Sequence, residues 1–181
     1  ALAYSGVGKH LLASGSWDGV ICIWDQESGE LKHTLKGKDS QIQDLAFSPD
    51  GERLVAGTSE RVARIWSTST GRELKTLEVY EKEGVDLPVS AVAWSPDGKT
   101  MYYGDSSADR VWAWDFDTVT GEVENRRLFV DTSGTGGVPD GATVDAEGCY
   151  WLTLPVTSRV TRYDPEGKEM ETIIMPTDLP T

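Results

Sequence analysis

The 181-residue sequence predicts an all-β fold, a β-propeller whose chain carries four blades of four antiparallel strands each. Three observations predict it. One order of strands and turns recurs four times, the aromatic residue of the third strand returns at nearly constant spacing, and no stretch carries a helical stripe. Trp24 to Trp66 is 42 residues, Trp66 to Trp114 is 48, and Trp114 to Tyr163 is 49. Four-stranded units of that length are propeller blades.

The first strands are short apolar runs that close on a turn: Ala1 to Ser5, Leu45 to Ser48, Val92 to Ser95 and Ala142 to Asp145. In the second and third units the turn reads Ser-Pro-Asp-Gly, at Ser48–Gly51 and Ser95–Gly98. Proline supplies a fixed φ there and glycine a positive one, which suits a tight hairpin. Second strands follow at 11–16, 53–59, 100–106 and 149–155. Third strands at 20–24, 62–66, 110–114 and 159–163 alternate aromatic or branched residues with others, the mark of a half-buried strand. A polar turn holding Gly29, Gly71, Gly121 or Gly167 leads to the fourth strands at 31–35, 73–79, 125–131 and 170–175. Blade boundaries are expected near residues 36, 80 and 136.

Charge narrows the partners. Thirty acidic residues against seventeen basic ones give a net charge of −13, a field that repels phosphate backbones and argues against nucleic acid. No apolar run approaches the roughly 20 residues that span a bilayer, so no membrane partner is expected, and no leader pattern opens the chain. Cys22 and Cys149 stand alone, in no metal-ligand spacing. Both are expected as free thiols, Cys22 buried within Val20–Trp24, and free thiols point to a reducing, cytoplasmic location.

Two styles of blade are legible. Leu12-Ala13-Ser14-Gly15-Ser16-Trp17-Asp18-Gly19 followed by Ile21-Cys22-Ile23-Trp24-Asp25 resembles WD repeats, and Leu54 to Thr58 with Arg64 to Ser67 resembles them more loosely. Glu60 replaces that family's turn aspartate in the second unit, and Gly37-Lys38 stands where its Gly-His pair belongs. The second half resembles the gluconolactonase/regucalcin (senescence-marker-protein) family. The carrying residues are Trp94 to Gly98, Tyr102 to Ser106, Asp115-Phe116-Asp117, Asn125-Arg126-Arg127, Pro139-Asp140-Gly141, Val144 to Gly148, Arg162 to Gly167 and Pro180-Thr181. The resemblances divide the chain at 1–80 and 81–181 within a single propeller domain, meeting at the charged stretch 81–88. A change of family at one blade boundary predicts an engineered chimera.

The gluconolactonase resemblance implies one divalent cation at the central channel, held by acidic and amide oxygens from several blades. Asp140 corresponds to the ligand carboxylate that also acts as the base. Ser90 or Ala91 takes the place of the family's asparagine, and its glutamate has no counterpart. On its residues alone, Asp140 in an Asp-Gly pair reads as a turn residue. One ligand of three predicts no catalytic residue, no dedicated cofactor, and only weak binding of a divalent cation such as Ca2+. Trp17, Trp94, Trp112 and Trp151 read as core at strand spacing rather than as a ligand pocket. His10 and His33 lack partners at useful spacing, and the glycine-rich stretch 131–137 precedes no helix that could hold a phosphate.

The function expected from sequence is therefore a non-catalytic chimeric scaffold. A metal-dependent lactonase or calcium-binding protein of the regucalcin type stands second, and a WD-type protein-interaction module third. Four blades closing on themselves need about 90° between neighbours, whereas eight need about 45°, nearer to rings of six or seven. Blade packing tolerates misfit poorly, so the expected assembly is a homodimer forming one eight-bladed ring.

Overall fold

The computed structural model describes residues 1–6, 8–36, 40–78 and 88–176. Blade 1 holds β1 (Leu2–Tyr4), β2 (Leu11–Gly15), β3 (Val20–Asp25) and β4 (Leu31–Lys36). Blade 2 holds β5 (Ile42–Phe47), β6 (Arg53–Thr58), β7 (Val62–Ser67) and β8 (Glu73–Glu78). Blade 3 holds β9 (Val89–Trp94), β10 (Thr100–Asp105), β11 (Arg110–Phe116) and β12 (Val123–Asp131). Blade 4 holds β13 (Ala142–Val144), β14 (Tyr150–Leu154), β15 (Arg159–Tyr163) and β16 (Glu169–Ile174). Each blade is one four-stranded sheet with its strands in chain order and all pairs antiparallel. The all-β expectation of four four-stranded sheets holds. Among the described residues no helix is long and apolar enough to cross a membrane.

Local chemistry explains the hairpins. Ser48 Oγ donates to Asp50 Oδ1 at 2.6 Å and accepts the Arg53 N–H at 3.0 Å, while Gly51 takes φ +69° to close the turn. Ser95, Asp97 and Gly98 repeat the arrangement, with Ser95 Oγ 2.6 Å from Asp97 Oδ1 and Gly98 at φ +70°. These short side-chain bonds replace backbone partners that the turn cannot supply.

The blades stack face to face, β1 on β5, β5 on β9 and β9 on β13. Ala13, Ile21 and Ile23 of blade 1 pack on Leu45, Leu54 and Trp66 of blade 2. Val55, Ile65 and Leu77 of blade 2 meet Trp94, Met101, Tyr103 and Trp114 of blade 3. Tyr102, Val111 and Ala113 of blade 3 meet Tyr150, Leu152 and Tyr163 of blade 4. The stacking needs close approach at one repeated point. A Cβ on Gly15 would lie 2.4 Å from Ile42 Cγ2, and one on Gly57 would lie 2.8 Å from the Val89 carbonyl oxygen. Gly104 holds the matching place in blade 3, its Cβ position 3.3 Å from Pro139 Cβ. In blade 4 the matching residue is Thr153.

Several expectations are corrected in detail. Trp17 is 77% exposed in the turn between β2 and β3, because that turn projects beyond the sheet; it is not core. Trp94 and Trp112 are buried as expected, and Trp151 is half-buried. Both thiols are free, but Cys22 is only partly buried, on the side of β3 opposite to Ile21 and Ile23, which pack on blade 2. The strand expected to reach residue 155 stops at Leu154, where Pro155–Thr157 forms a 3-10 turn closed by Ser158 in the left-handed region. The boundary at residue 80, Gly37-Lys38, the stretch 81–87 and Pro180-Thr181 lie outside the described residues.

Candidate functional site

The four first strands line a cavity of about 480 Å³, reached by Tyr4, Asp44, Phe47, Trp94 and Val144 among others. Next to Asp44, and outside the residues that line the cavity, a polar rim arises from one irregularity shared by blades 2 and 3. The β5–β6 ladder shifts between Ile42 and Asp44, leaving Gln43 as the extra residue of a bulge. The β9–β10 ladder steps from Ala91 to Val89, leaving Ser90 in the same role. In blade 4, Asp140 lies just before β13, its N–H bonded to the Thr153 carbonyl at 3.2 Å. Bulges of this kind re-aim a side chain away from the pleat. The repeat confirms the equivalence: 51 − 43, 98 − 90 and 148 − 140 all equal 8, the distance to the glycine of the following turn.

Blades 3 and 4 are tied together at this rim. Ser90 Oγ donates to the Pro139 carbonyl at 2.9 Å, and Ser106 Oγ donates to the same oxygen at 2.6 Å. The peptide immediately before Asp140 is thus fixed from the neighbouring blade. Asp44 ties blades 2 and 3 in turn. Its Oδ1 accepts the Leu45 N–H and its Oδ2 the Val92 N–H, both at 2.8 Å.

Burial sets the electrostatics of the two carboxylates. Burial raises the Asp140 carboxyl above its ordinary value, opposed by the Gly141 N–H. Burial also pushes Asp44 up to about 6, against the pull of the Val92 and Leu45 N–H groups and the N-terminal ammonium, while the Asp140 charge adds slightly to the rise. Among the described residues neither carboxylate has an ion pair with a lysine or arginine. Both carboxylates, the Ser90 hydroxyl and the Gln43 amide present oxygen, the donor type that hard divalent cations prefer. The chemistry of the donor set therefore fits such an ion.

Sequence reasoning singled out Asp140 alone and placed Ser90 or Ala91 where the family's asparagine belongs; the structure ties Ser90 to the peptide before Asp140. It missed Asp44 and Gln43. The eight-residue offset from the turn glycine, read across all blades, would have found Gln43 at once. Asp44 carried no such signal, because its role depends on the approach of β9. The remaining candidates do not converge on the rim. His10 lies 3.8 Å from Glu27, and the ring of His33 lies against Gly71. Asp131 ends β12, and 132–137 is a loop fixed by Thr132 Oγ1 donating to the Asp109 carbonyl at 2.9 Å, with β13 beyond it.

A second acidic group, Asp145, Glu147 and Cys149, places its ligand atoms within 4.8 Å of one another on blade 4. Arg162 already occupies it, 2.8 Å from Asp145 and 2.6 Å from Glu147. The Trp151 N–H donates to Asp145 at 2.9 Å and, with Arg162, holds that carboxyl down at about 2. A resident guanidinium leaves this group without the open negative charge a metal needs.

Comparison with known proteins gives the family of the chain. A family model described as SMP-30/Gluconolactonase/LRE-like region matches residues 5–181. The chain is 32% identical over 181 residues to regucalcin of Xenopus laevis, covering 96% of this chain and 60% of that protein. It is 40% identical over 167 residues to regucalcin of Homo sapiens, covering 87% of this chain and 55% of that protein. Its fold matches a crystal structure of a calcium-binding protein, regucalcin, from Agrobacterium tumefaciens with TM-score 0.76 and 25% identity, over 99% of this chain and 61% of that one. The chain thus spans somewhat more than half the length of these relatives.

These findings correct three expectations. The family match runs through the N-terminal half, so residues 5–80 belong with the rest and give no support to a WD-repeat half or a chimera. The WD-like residues misled because a third-strand tryptophan and a glycine-closed turn are general requirements of a propeller blade, whatever its family. An engineered scaffold is overturned by relatives that match along nearly the whole chain. The expectation of no enzymatic role falls with it, since the matching family takes its description from gluconolactonase.

Proposed function

Because the chain belongs to the SMP-30/gluconolactonase/LRE-like family, we propose that it binds a divalent cation at the channel rim through Asp140 and hydrolyses a lactone there. The observation that carries the reading is Asp140 itself. It is a half-buried carboxylate with raised proton affinity, on a peptide fixed from blade 3, and among the described residues it has no ion pair with a lysine or arginine. Ser90 and Gln43, at the matching positions of the neighbouring blades, complete an oxygen-rich rim. Calcium suits that donor set, and the structurally similar Agrobacterium protein is described as calcium-binding. A bound ion of this class polarises a carbonyl oxygen. Asp140, its carboxyl raised by burial, accepts the proton of an attacking water. Asp44 keeps β5 and β9 in register so that the rim oxygens stay in place. The two free thiols fit a reducing compartment.

The test is hydrolysis of an aldonolactone with Ca2+, Mn2+ or Zn2+ added. Cation-dependent turnover is expected, falling about 100-fold or more in Asp140→Asn with an unchanged circular dichroism spectrum. Absence of turnover with every ion, or full activity in the variant, contradicts the reading.

A further inference from the structure

Gly15, Gly57, Gly104 and Thr153 hold one matching place in the four blades. Two residues further on, beyond the close approach, stand Trp17, Ser59, Ser106 and Pro155. Their surroundings differ. Trp17 is 77% exposed, and Pro155 opens the 3-10 turn. Ser59 turns to its own blade, where its Oγ accepts the Gln41 N–H at 3.0 Å. Among the described residues, Ser106 is the member of this set whose side chain bonds a neighbouring blade, donating to the Pro139 carbonyl at 2.6 Å. A bond at this place is therefore not a general demand of blade packing.

Two features bring Ser106 to that oxygen. Gly104 has no Cβ, and one would lie 3.3 Å from both Pro139 Cβ and Ser90 Oγ, so the Pro139 peptide comes close to the end of β10. Beyond Gly104 the chain is held by buried Asp105, whose Oδ1 accepts the N–H of Ser107 at 2.9 Å and that of Ala108 at 3.2 Å. The Ser107 hydroxyl also donates to Asp105, and it accepts Arg61 Nη2 of blade 2 at 3.3 Å. A turn fixed in this way leaves the Ser106 hydroxyl little freedom to lose when its bond forms. Within blade 4, the Asp140 N–H donates to the Thr153 carbonyl at 3.2 Å. The peptide between Pro139 and Asp140 is thus gripped at its oxygen from blade 3 and at its nitrogen from blade 4.

We propose that Ser106 is a positioning residue for Asp140, setting where its carboxylate stands at the rim; this rests on the cation-binding reading above. Ser106 acts through the peptide, not on the ion or the lactone. The nitrogen of that peptide is bonded to the Cα that carries the carboxylate. Ser90 donates to the same oxygen at 2.9 Å, but from the bulge of β9, and the Ser106 bond is the shorter of the two. Groups of this kind limit the positions a ligand oxygen can take, and their loss costs about 10-fold or more in affinity.

Ser106→Ala and Ser106→Thr test this, with Thr68→Ala as the control. Thr68 Oγ1 also donates to a backbone carbonyl, that of Gly51 at 2.7 Å, in the turn at the other end of β5 from the rim. In Ser106→Ala, calorimetry is expected to show calcium affinity weakened about 10-fold. Exchange of the Asp140 amide proton, followed by NMR without calcium, is expected to quicken about 5-fold or more. Ser106→Thr keeps the hydroxyl and is expected to hold both near the wild-type values. Thr68→Ala is expected to lower the urea midpoint and leave both unchanged. Unchanged Asp140 exchange in Ser106→Ala overturns the proposal. So does a loss of affinity that Thr68→Ala matches or that Ser106→Thr fails to recover. A wild-type chain that binds no calcium counts against the cation-binding reading alone, and the exchange measurement then decides the role of Ser106.

Discussion

Trp66→Ala is expected to lower stability by about 3–5 kcal/mol, measured by urea denaturation of the purified chain. Trp66 is 2% exposed and fills the interface between blades 1 and 2. Its removal leaves a cavity lined by groups that the surrounding strands hold in place. A loss of that size is a large part of what a single domain has. Trp24 holds the same register position on blade 1, where no neighbouring blade covers it and its Nε1 bonds only Ser14 Oγ at 3.1 Å. Trp24→Ala is expected to change the stability of an isolated chain by about 1 kcal/mol or less. Equal losses from the two substitutions would contradict the blade-face argument.

Gly57→Val has the second largest expected effect, about 3 kcal/mol or more. The new Cβ would sit 2.8 Å from the Val89 carbonyl oxygen and 2.9 Å from Val89 Cγ1. A backbone oxygen at the start of β9 cannot rotate away, so blades 2 and 3 must part. Ser90 follows directly and holds the Pro139 carbonyl, so the rim at Asp140 is expected to loosen with the interface. Urea denaturation and cation affinity should therefore fall together. A stable Gly57→Val protein with an unchanged rim would show that the close approach of β6 and β9 is not structural.

Much of the fold was legible because a blade repeats its chemistry. The Ser-Pro-Asp-Gly turns, the third-strand aromatics and the alternation along β7 and β11 are local signals, and each formed the element it predicted. Family was harder to read in the N-terminal half. Trp24, Trp66 and Gly19 meet requirements common to propeller blades, so their presence could not separate one propeller family from another. Of the candidate site only Asp140 was legible, from Pro139-Asp140-Gly141, while Ser90 stood there as an alternative to Ala91. Asp44 escaped notice because its importance lies in reaching Val92, 48 residues away, across a blade interface that no local pattern announces. Trp17 was misjudged for the opposite reason: an apolar residue at strand spacing lay one step beyond the strand, where nothing packs.

Calcium titration of the wild-type chain and of Asp140→Asn by calorimetry tests the cation site most directly. The rim predicts one calcium ion per chain, with affinity weakened about 10-fold or more when Asp140 loses its charge. It also predicts thermal stabilisation of the wild type by calcium that the variant lacks. Identical titrations for the two proteins, or no binding by either at millimolar calcium, would contradict it.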